Sequence, residues 1–436
     1  MEREILKKLV AWKDRKDRKP LILLGARQVG KTYILKEFGK REYESVAYIN
    51  CDNNAVVRDL FEPDYDMKRI ILSIGAITGV SIQPGKTLII LDEIQELHRG
   101  LSSLKYFCED ANEYHVAVAG SLLGIAFRHG ESYPVGKVNT LNMYPMSYEE
   151  FLLAKNKKQL VDILSTGDWT MIKGLKSQFV QLLREYYFVG GMPEAVQKYI
   201  DTNDAVSVRE VQHEILLAYE KDISKHVPAT EAIRINQVWR SIPSQLAKEN
   251  KKFIYGVVKK GGRAKDYELA IQWLMDAGIV YKVNRVSAPS MPLKSYEDMS
   301  AFKLFMMDCG LLGAISNTPP SLLLMPNNMK ESKGMFTENY VCGQMWQLGN
   351  IYVGYYSKDN SVLEIDFLVQ LNEKIIPIEV KAEENLQSKS LKTFIKAHQG
   401  LCGIRFSMAD YKEQECTVNV PIYGLRSYLE NLQNTK

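Results

Sequence analysis

Gly25-Ala26-Arg27-Gln28-Val29-Gly30-Lys31-Thr32 fits the pattern G-x-x-x-x-G-K-[ST] at every fixed position. The apolar run Leu21–Leu24 reads as a buried strand before it, and Tyr33 to Gly39 reads as a helix after it. A strand feeding a glycine loop feeding a helix presents a row of backbone N–H groups and the positive end of a helix dipole. That is a cradle for a polyphosphate. Gly25 and Gly30 let the chain turn tightly and approach the phosphates with no Cβ in the way. All eight residues, from Gly25 to Thr32, are therefore candidate nucleotide-binding residues. Lys31 is placed to reach the β- and γ-phosphates, and the Thr32 hydroxyl to ligate Mg²⁺.

A nucleotide hydrolase also needs a carboxylate near the metal and a group to orient the attacking water. Thr87-Leu-Ile-Ile-Leu-Asp92-Glu93 offers both. Its apolar, β-branched centre reads as a central parallel strand. Asp92 at the carboxyl end is the expected Mg²⁺ partner, and Glu93 the expected general base. An acidic helix start is the plain alternative for this pair. Val116–Ala119 reads as another strand, and Ser121 after it is placed to hydrogen-bond the γ-phosphate or the lytic water. Strands expected near 21–25, 45–50, 87–91, 115–119 and 138–142 alternate with helices near 31–39, 66–78, 97–110 and 147–155. Such alternation predicts a parallel sheet covered on both faces across residues 1–150.

The length of 436 residues allows two to four domains. Net charge is only +4, so any basic character is local. The six cysteines, at 51, 108, 309, 342, 402 and 416, form no C-x-x-C pair. Neither a disulfide framework nor a zinc site is indicated, and the thiols read as reduced. Met1 to Arg18 lacks the apolar core of a signal peptide, and no run reaches the ~20 apolar residues of a membrane span. The expected compartment is the cytoplasm, with no membrane contact.

Residues 151–228 read as helical, interrupted by Gly190-Gly191-Met192-Pro193. In 229–290, three helical patterns (Ile235–Leu246, Phe253–Lys259, Asp266–Asp276) precede an alternating strand at Ile279, Tyr281 and Val283. That order suggests a winged helix. Lys248, Lys251, Lys252, Lys259, Lys260, Arg263 and Lys265 stand against Glu249, a net of 7 − 1 = +6. Such a stretch suits phosphate contacts on double-stranded DNA. A solvated face, or packing against a protein partner, serves equally well as an explanation. Ser287–Ser300 and Ser316–Lys333 read as loops.

Residues 300–436 carry a different chemistry. Gly334–Gln347 reads as a helix holding Glu338. Two strands follow, 362–369 and 374–381, joined by a short connector. If Asn372 and Glu373 form the turn, Asp366 lies opposite Glu379, and Lys381 shares the face of Glu379. Two carboxylates held close suit Mg²⁺, and a neighbouring lysine suits an attacking water. Pro377 requires a non-hydrogen-bonded position or a bulge. The spacing resembles the restriction-endonuclease-like fold, with its PD-(D/E)xK site. Glu338 matches the acidic residue that many members carry on the first helix. A solvated charge pair is the plain alternative for the E-x-K triplet.

The whole chain resembles bacterial and archaeal AAA-type ATPases with a C-terminal domain of unknown function. The resemblance is carried by Gly25–Thr32, Leu91-Asp92-Glu93-Ile94-Gln95, Ala119-Gly120-Ser121, Tyr144–Phe151, Gly190–Ala195 and Tyr219–Ile223. Further on it rests on Phe302–Leu312, Glu338–Val341, Glu364–Phe367 and Ile378–Lys381. It implies a P-loop NTPase parallel sheet, then a helical and winged-helix region, then a restriction-endonuclease-like α/β domain. ATP is the implied nucleotide, since no guanine-reading N-K-x-D is seen. One departure is Gly136-Lys137, where related sequences tend to have Gly-Arg; Arg128 is a nearby substitute. The expected function is a Mg²⁺-dependent ATPase that rearranges a C-terminal DNA-facing module. An ATP-regulated metal-dependent DNA nuclease is one alternative. A non-catalytic interaction role, with a protein partner or a second copy of the chain, is the other.

Overall fold

The computed structural model describes residues 1–434, apart from 122, 127–133, 249–250, 326–332, 359–362 and 385–386. Arg128, Glu249 and Val362 therefore lie outside the described residues. The chain divides into two compact units: Met1–Tyr144 with Asp276–Gly278, and Pro145–Met275 with Ile279–Lys436.

The first unit is built on β1 (Leu21–Leu24), β2 (Ser45–Asn50), β3 (Thr87–Asp92), β4 (His115–Ala119) and β5 (Asn139–Asn142). All are parallel, in the order β2-β3-β4-β1-β5. The strand positions read from periodicity hold to within a residue. Every residue of β3 is buried, as a central strand covered on both faces requires. Its Leu88, Ile89, Ile90 and Leu91 are fully buried. At about 1.5–3 kcal/mol each, they outweigh the roughly 1–2 kcal/mol per residue lost in ordering the backbone. Ile70 and Ile74 of the helix Met67–Thr78 and Leu101, Leu104 and Phe107 of the helix Gly100–Asp110 pack with Ile89 and Leu91. Asp92 pairs with Ala119, and Ala119 with Leu23. The carboxyl ends of β3, β4 and β1 thus meet at one sheet edge, where open α/β sheets bind ligands.

The second unit opens with helices. Ser147 and Glu150 form a reciprocal capping box on Tyr148–Ala154. The helices Lys176–Val189, Pro193–Thr202 and Ala205–His226 follow. Asp308 accepts the N–H of Gly191 at 2.6 Å and of Leu311 at 2.9 Å, tying two of the sequence motifs together. Next come Ala229–Leu246, Tyr255–Val258 and Ala264–Asp276, the three helices expected before a wing.

The rest is an eight-stranded mixed sheet with the helices Cys309–Ile315, Pro320–Leu324 (inside the expected loop 316–333), Lys333–Leu348, Lys389–Ala397 and Leu425–Asn434. Its members are β6 (Val280–Val286), β7 (Glu297–Met306), β8 (Ile351–Ser357), β9 (Glu364–Leu371) and β10 (Lys374–Val380), with β11 (Gly403–Ser407), β12 (Lys412–Gln414) and β13 (Thr417–Pro421). The order is β12-β13-β11-β10-β9-β8-β6-β7. The hairpin β6–β7 joins the C-terminal strands through Arg285 opposite Tyr355. The expected loop over Ser287–Ser300 is shorter than its prolines suggest. β7 starts at Glu297, which pairs with Val286, and an Arg285–Asp298 ion pair at 2.5 Å locks that end.

The β9–β10 register matches the sequence reading. Lys374 pairs with Leu371 across the turn Asn372-Glu373, and the ladder runs to Ile378 opposite Phe367. Asn372 has φ +52°, the left-handed conformation a two-residue turn needs. Such a turn is closed by a hydrogen-bonded pair, and the pairs alternate from there. Pro377, opposite Leu368, falls on a non-hydrogen-bonded pair. The ladder stops one step short of Asp366 and Glu379, because an Asp366 carboxylate oxygen takes the Val380 N–H at 2.8 Å.

Candidate functional site

The loop after β1 turns at Gly25 (φ +147°), Gln28 (φ +65°) and Gly30 (φ +97°). A Cβ on Gly25 would stand 2.2 Å from the Met143 carbonyl oxygen, so the position admits no side chain. Gly30 caps the helix Lys31–Glu42. Arg3 braces the loop from outside, donating to Val29 O at 3.0 Å and to Tyr144 O at 2.6 Å. Nothing in the sequence marked Arg3.

Lys31 is 6% exposed and folds back on the loop, donating to the carbonyls of Gly25 and Ala26 at 2.8 Å each. Burial pulls its pKa down to about 8, against the partial support of Glu93 and Asp92. Thr32 Oγ1 donates to Asp92 Oδ2 at 2.6 Å, and the Tyr48 hydroxyl to the same oxygen at 3.2 Å. The hydroxyl and the carboxylate are thus already together, as two hard-oxygen groups that share a cation must be.

Glu93 has φ +53° and holds a fixed pose. Its Oε1 accepts from Ser121 Oγ at 2.7 Å, and its Oε2 from Ser121 N at 3.0 Å and Gln95 Nε2 at 2.6 Å. Burial alone would raise its pKa; the bonds from Gln95 and Ser121 outweigh burial and hold the carboxyl below its ordinary value. It is therefore ionised at neutral pH. Gly120 makes room for Gln95, since a Cβ there would meet Gln95 Oε1 at 1.9 Å. Ser121, expected at the γ-phosphate or the lytic water, bonds Glu93 here. Gln95 stood in the quoted motif Asp92-Glu93-Ile94-Gln95, two residues from the carboxylate it holds. Lys137 does not join this cluster, and pairs at the surface with Glu109 at 2.7 Å.

In the second unit, Asp366 lies within electrostatic reach of both Glu338 and Glu379, and Lys381 pairs with Glu379. Burial raises the pKa of Glu338, and the Asp366 charge adds to it; Lys251 and Lys303 oppose the rise. Burial likewise raises Glu379, with Lys381 opposing and Asp366 adding. Lysines meet most of these carboxylates. Lys251 Nζ lies 2.6 Å from Glu338 Oε1, and Lys381 Nζ 2.7 Å from Glu379 Oε1. Buried Lys303 sits 2.5 Å from Glu364 Oε1. Arg405, fully buried on β11, pairs in register with Glu379. Lys303, Glu364 and Arg405 were not marked by the sequence as part of a site. Among the described residues, no three His, Cys, Asp or Glu side chains are arranged to hold a metal ion.

The basic stretch divides in two. Lys251 turns inward to Glu338, Lys252 also has a partner, and Lys248 is half-buried. Lys259, Lys260, Arg263 and Lys265 are exposed around the start of the helix Ala264–Asp276.

Residues 17–152 match the family model described as AAA domain. The first unit is an AAA-type P-loop domain. Residues 180–322 match a domain of unknown function, DUF8612, and residues 333–425 another, DUF4143. Among solved structures, the chain is similar to the Walker-type ATPase PABY2304 of Pyrococcus abyssi, at 13% identity and a TM-score of 0.44, over 72% of this chain and 95% of that one. It is also similar to the Aeropyrum pernix Orc1 protein solved in complex with DNA, at 11% identity and TM-score 0.28, over 74% and 92% of the two chains. Cdc6p from Pyrobaculum aerophilum is a third, at 11% and 0.25, over 72% and 92%. No curated protein sequence matches the chain. Among the described residues, no helix is long and apolar enough to cross a membrane.

Proposed function

We propose that the chain is a Mg²⁺-dependent ATPase whose nucleotide cycle drives its second unit, and that this unit faces double-stranded DNA. The observation that carries the first part is the convergence of Thr32, Asp92, Glu93 and Ser121 at the mouth of the loop Gly25–Thr32. Thr32 and Asp92 would hold Mg²⁺, which supplies charge neutralisation at the phosphates. Lys31 leaves the carbonyls of Gly25 and Ala26 and takes the β- and γ-phosphates, which return the charge that burial disfavours. The loop amides hold the remaining phosphate oxygens. Glu93 is ionised and held at two oxygens, so it can orient a water and accept its proton once ATP is in place. Ser121 fixes that carboxylate.

The DNA part rests on the four exposed cations at Lys259–Lys265, which carry the phosphate-contact role first read from seven. ATP hydrolysis with and without double-stranded DNA, at low and high salt, tests both parts. Stimulation that fades with salt supports the full reading. Hydrolysis indifferent to DNA moves the second unit to a protein partner or a second copy of the chain.

A second reading, metal-dependent DNA cleavage, is favoured by one observation. Glu338 Oε2 and Glu379 Oε2 are buried without a hydrogen-bond partner, next to Asp366. Against it stand Lys251 and Lys381, which already neutralise those carboxylates. Mg²⁺-dependent nicking of plasmid DNA that is lost in Asp366→Ala decides for cleavage; intact plasmid decides for docking.

A further inference from the structure

Cys51, Cys309 and Cys342 are buried and Cys108 is half-buried, but Cys402 and Cys416 are exposed. These two lie side by side. Gly403 pairs with Thr417 in the parallel ladder of β11 and β13, and the Gly403 N–H donates to Cys416 O at 2.9 Å. The residues one step earlier are Cys402 and Cys416, so they continue the same register. Neighbouring strands run about 4.8 Å apart, and in-register residues of a parallel pair project to the same face. That spacing falls within the Cα separation of a disulfide, about 4.4–6.8 Å. The pKa of Cys416 is raised, by desolvation first and then by the neighbouring Cys402 thiol, so the two sulfurs sense each other. Cys416 also ends the two-residue turn between β12 and β13, since Gln414 pairs with Thr417. Both residues line a cavity of about 660 Å³, walled by Ile376, Leu401, Tyr411 and Tyr428. A small oxidant therefore has a path to both sulfurs.

We propose that Cys402 and Cys416 form a modification site, a dithiol that a hydroperoxide closes to an intramolecular disulfide and a thiol reductant reopens. In the first step, one sulfur attacks a peroxide oxygen and the O–O bond breaks. The products are a sulfenic acid and, with hydrogen peroxide, one water. In the second step, the other sulfur attacks the sulfenic sulfur. The S–S bond forms, and the hydroxyl leaves with the second thiol proton as another water. Two thiols and one peroxide give one disulfide and two waters, with sulfur oxidised and oxygen reduced. The buried cysteines are shielded from this chemistry, and Cys108 is half-buried.

The test is peptide mapping of the full chain after one equivalent of hydrogen peroxide and a maleimide quench, beside Cys402→Ser and Cys416→Ser. The expected result is joint loss of maleimide at both positions, ahead of any loss at half-buried Cys108. A crosslinked peptide within one chain should appear, vanish with dithiothreitol, and be missing from both variants. Three results overturn the proposal: both thiols stay fully alkylated, each oxidises at a rate unchanged by loss of the other, or the disulfide joins two chains.

Discussion

Lys251→Met tests the C-terminal cluster most sharply. Lys251 and Glu338 meet at 2.6 Å with side chains 13% and 7% exposed. Methionine keeps the volume of the lysine stem but leaves the carboxylate without its cation. If Glu338 stays ionised, the cost is several kcal/mol. If it takes a proton instead, the cost is set by the gap between its ordinary pKa of 4.5 and pH 7. At 1.36 kcal/mol per unit, that is about 3.4 kcal/mol. The cheaper outcome wins, so about 3.4 kcal/mol is a ceiling, and nearby Lys303 lowers it somewhat. The sign with pH follows. A carboxyl whose pKa rises on folding binds more protons in the folded state, so stability falls as pH climbs from 4.5 toward the folded pKa. The variant widens that window. Its deficit against the native protein should be small near pH 4.5 and largest at pH 7. Lys251→Met/Glu338→Gln removes both charges and should recover most of the loss. The assay is urea unfolding of the full chain by tryptophan fluorescence. Trp169, Trp239, Trp273 and Trp346 all lie in the second unit, and only Trp12 in the first. A deficit under about 1 kcal/mol at pH 7, equal deficits at both pH values, or a double variant no better than the single one would refute the reasoning.

Four further outcomes are expected. Gly25→Ala forces a Cβ to within 2.2 Å of Met143 O at φ +147°, and should cost roughly 100-fold or more in binding of a fluorescent ATP analogue. In the free protein Lys31 titrates near 8, while bound phosphates need it charged. ATP affinity should therefore fall as pH rises above about 8, with proton uptake seen as a buffer-dependent heat in calorimetry. The same shift makes the nucleotide-free protein gain stability as pH rises from about 8 toward 10.5, because the unfolded chain then binds more protons. Replacing Lys259, Lys260, Arg263 and Lys265 by alanine should flatten the salt dependence of double-stranded DNA binding by up to about 0.9 per lost phosphate contact. An unchanged slope would remove these cations from the interface.

What was legible in the sequence was local. The phosphate loop, β3 with Asp92 and Glu93, and Ser121 each sit at the end of a short apolar run, and their spacing along the chain fixed their place. The β9–β10 register was also legible, because a two-residue turn leaves only one pairing. The sequence did not show that Asp366 would end the ladder by capturing the Val380 N–H. Contacts between distant segments were not legible. Lys251 looked like one more surface cation, yet it partners a carboxylate 87 residues away. Lys303 and Glu364 are 61 residues apart and meet only through the sheet. The entry of β6 and β7 into the C-terminal sheet rests on one pair, Arg285 with Tyr355, which no period in the sequence announces. The sequence reading missed the start of β7, because Glu297–Ser300 is polar and partly exposed and so reads as loop.

Steady-state ATP hydrolysis by the full chain with Mg²⁺, beside Lys31→Ala and Glu93→Gln, tests the central claim most directly. The account predicts turnover by the native chain and a loss of at least about 10²-fold in each variant, with Glu93→Gln still binding ATP. Full turnover in either variant, or a native chain that fails to bind ATP, would contradict it.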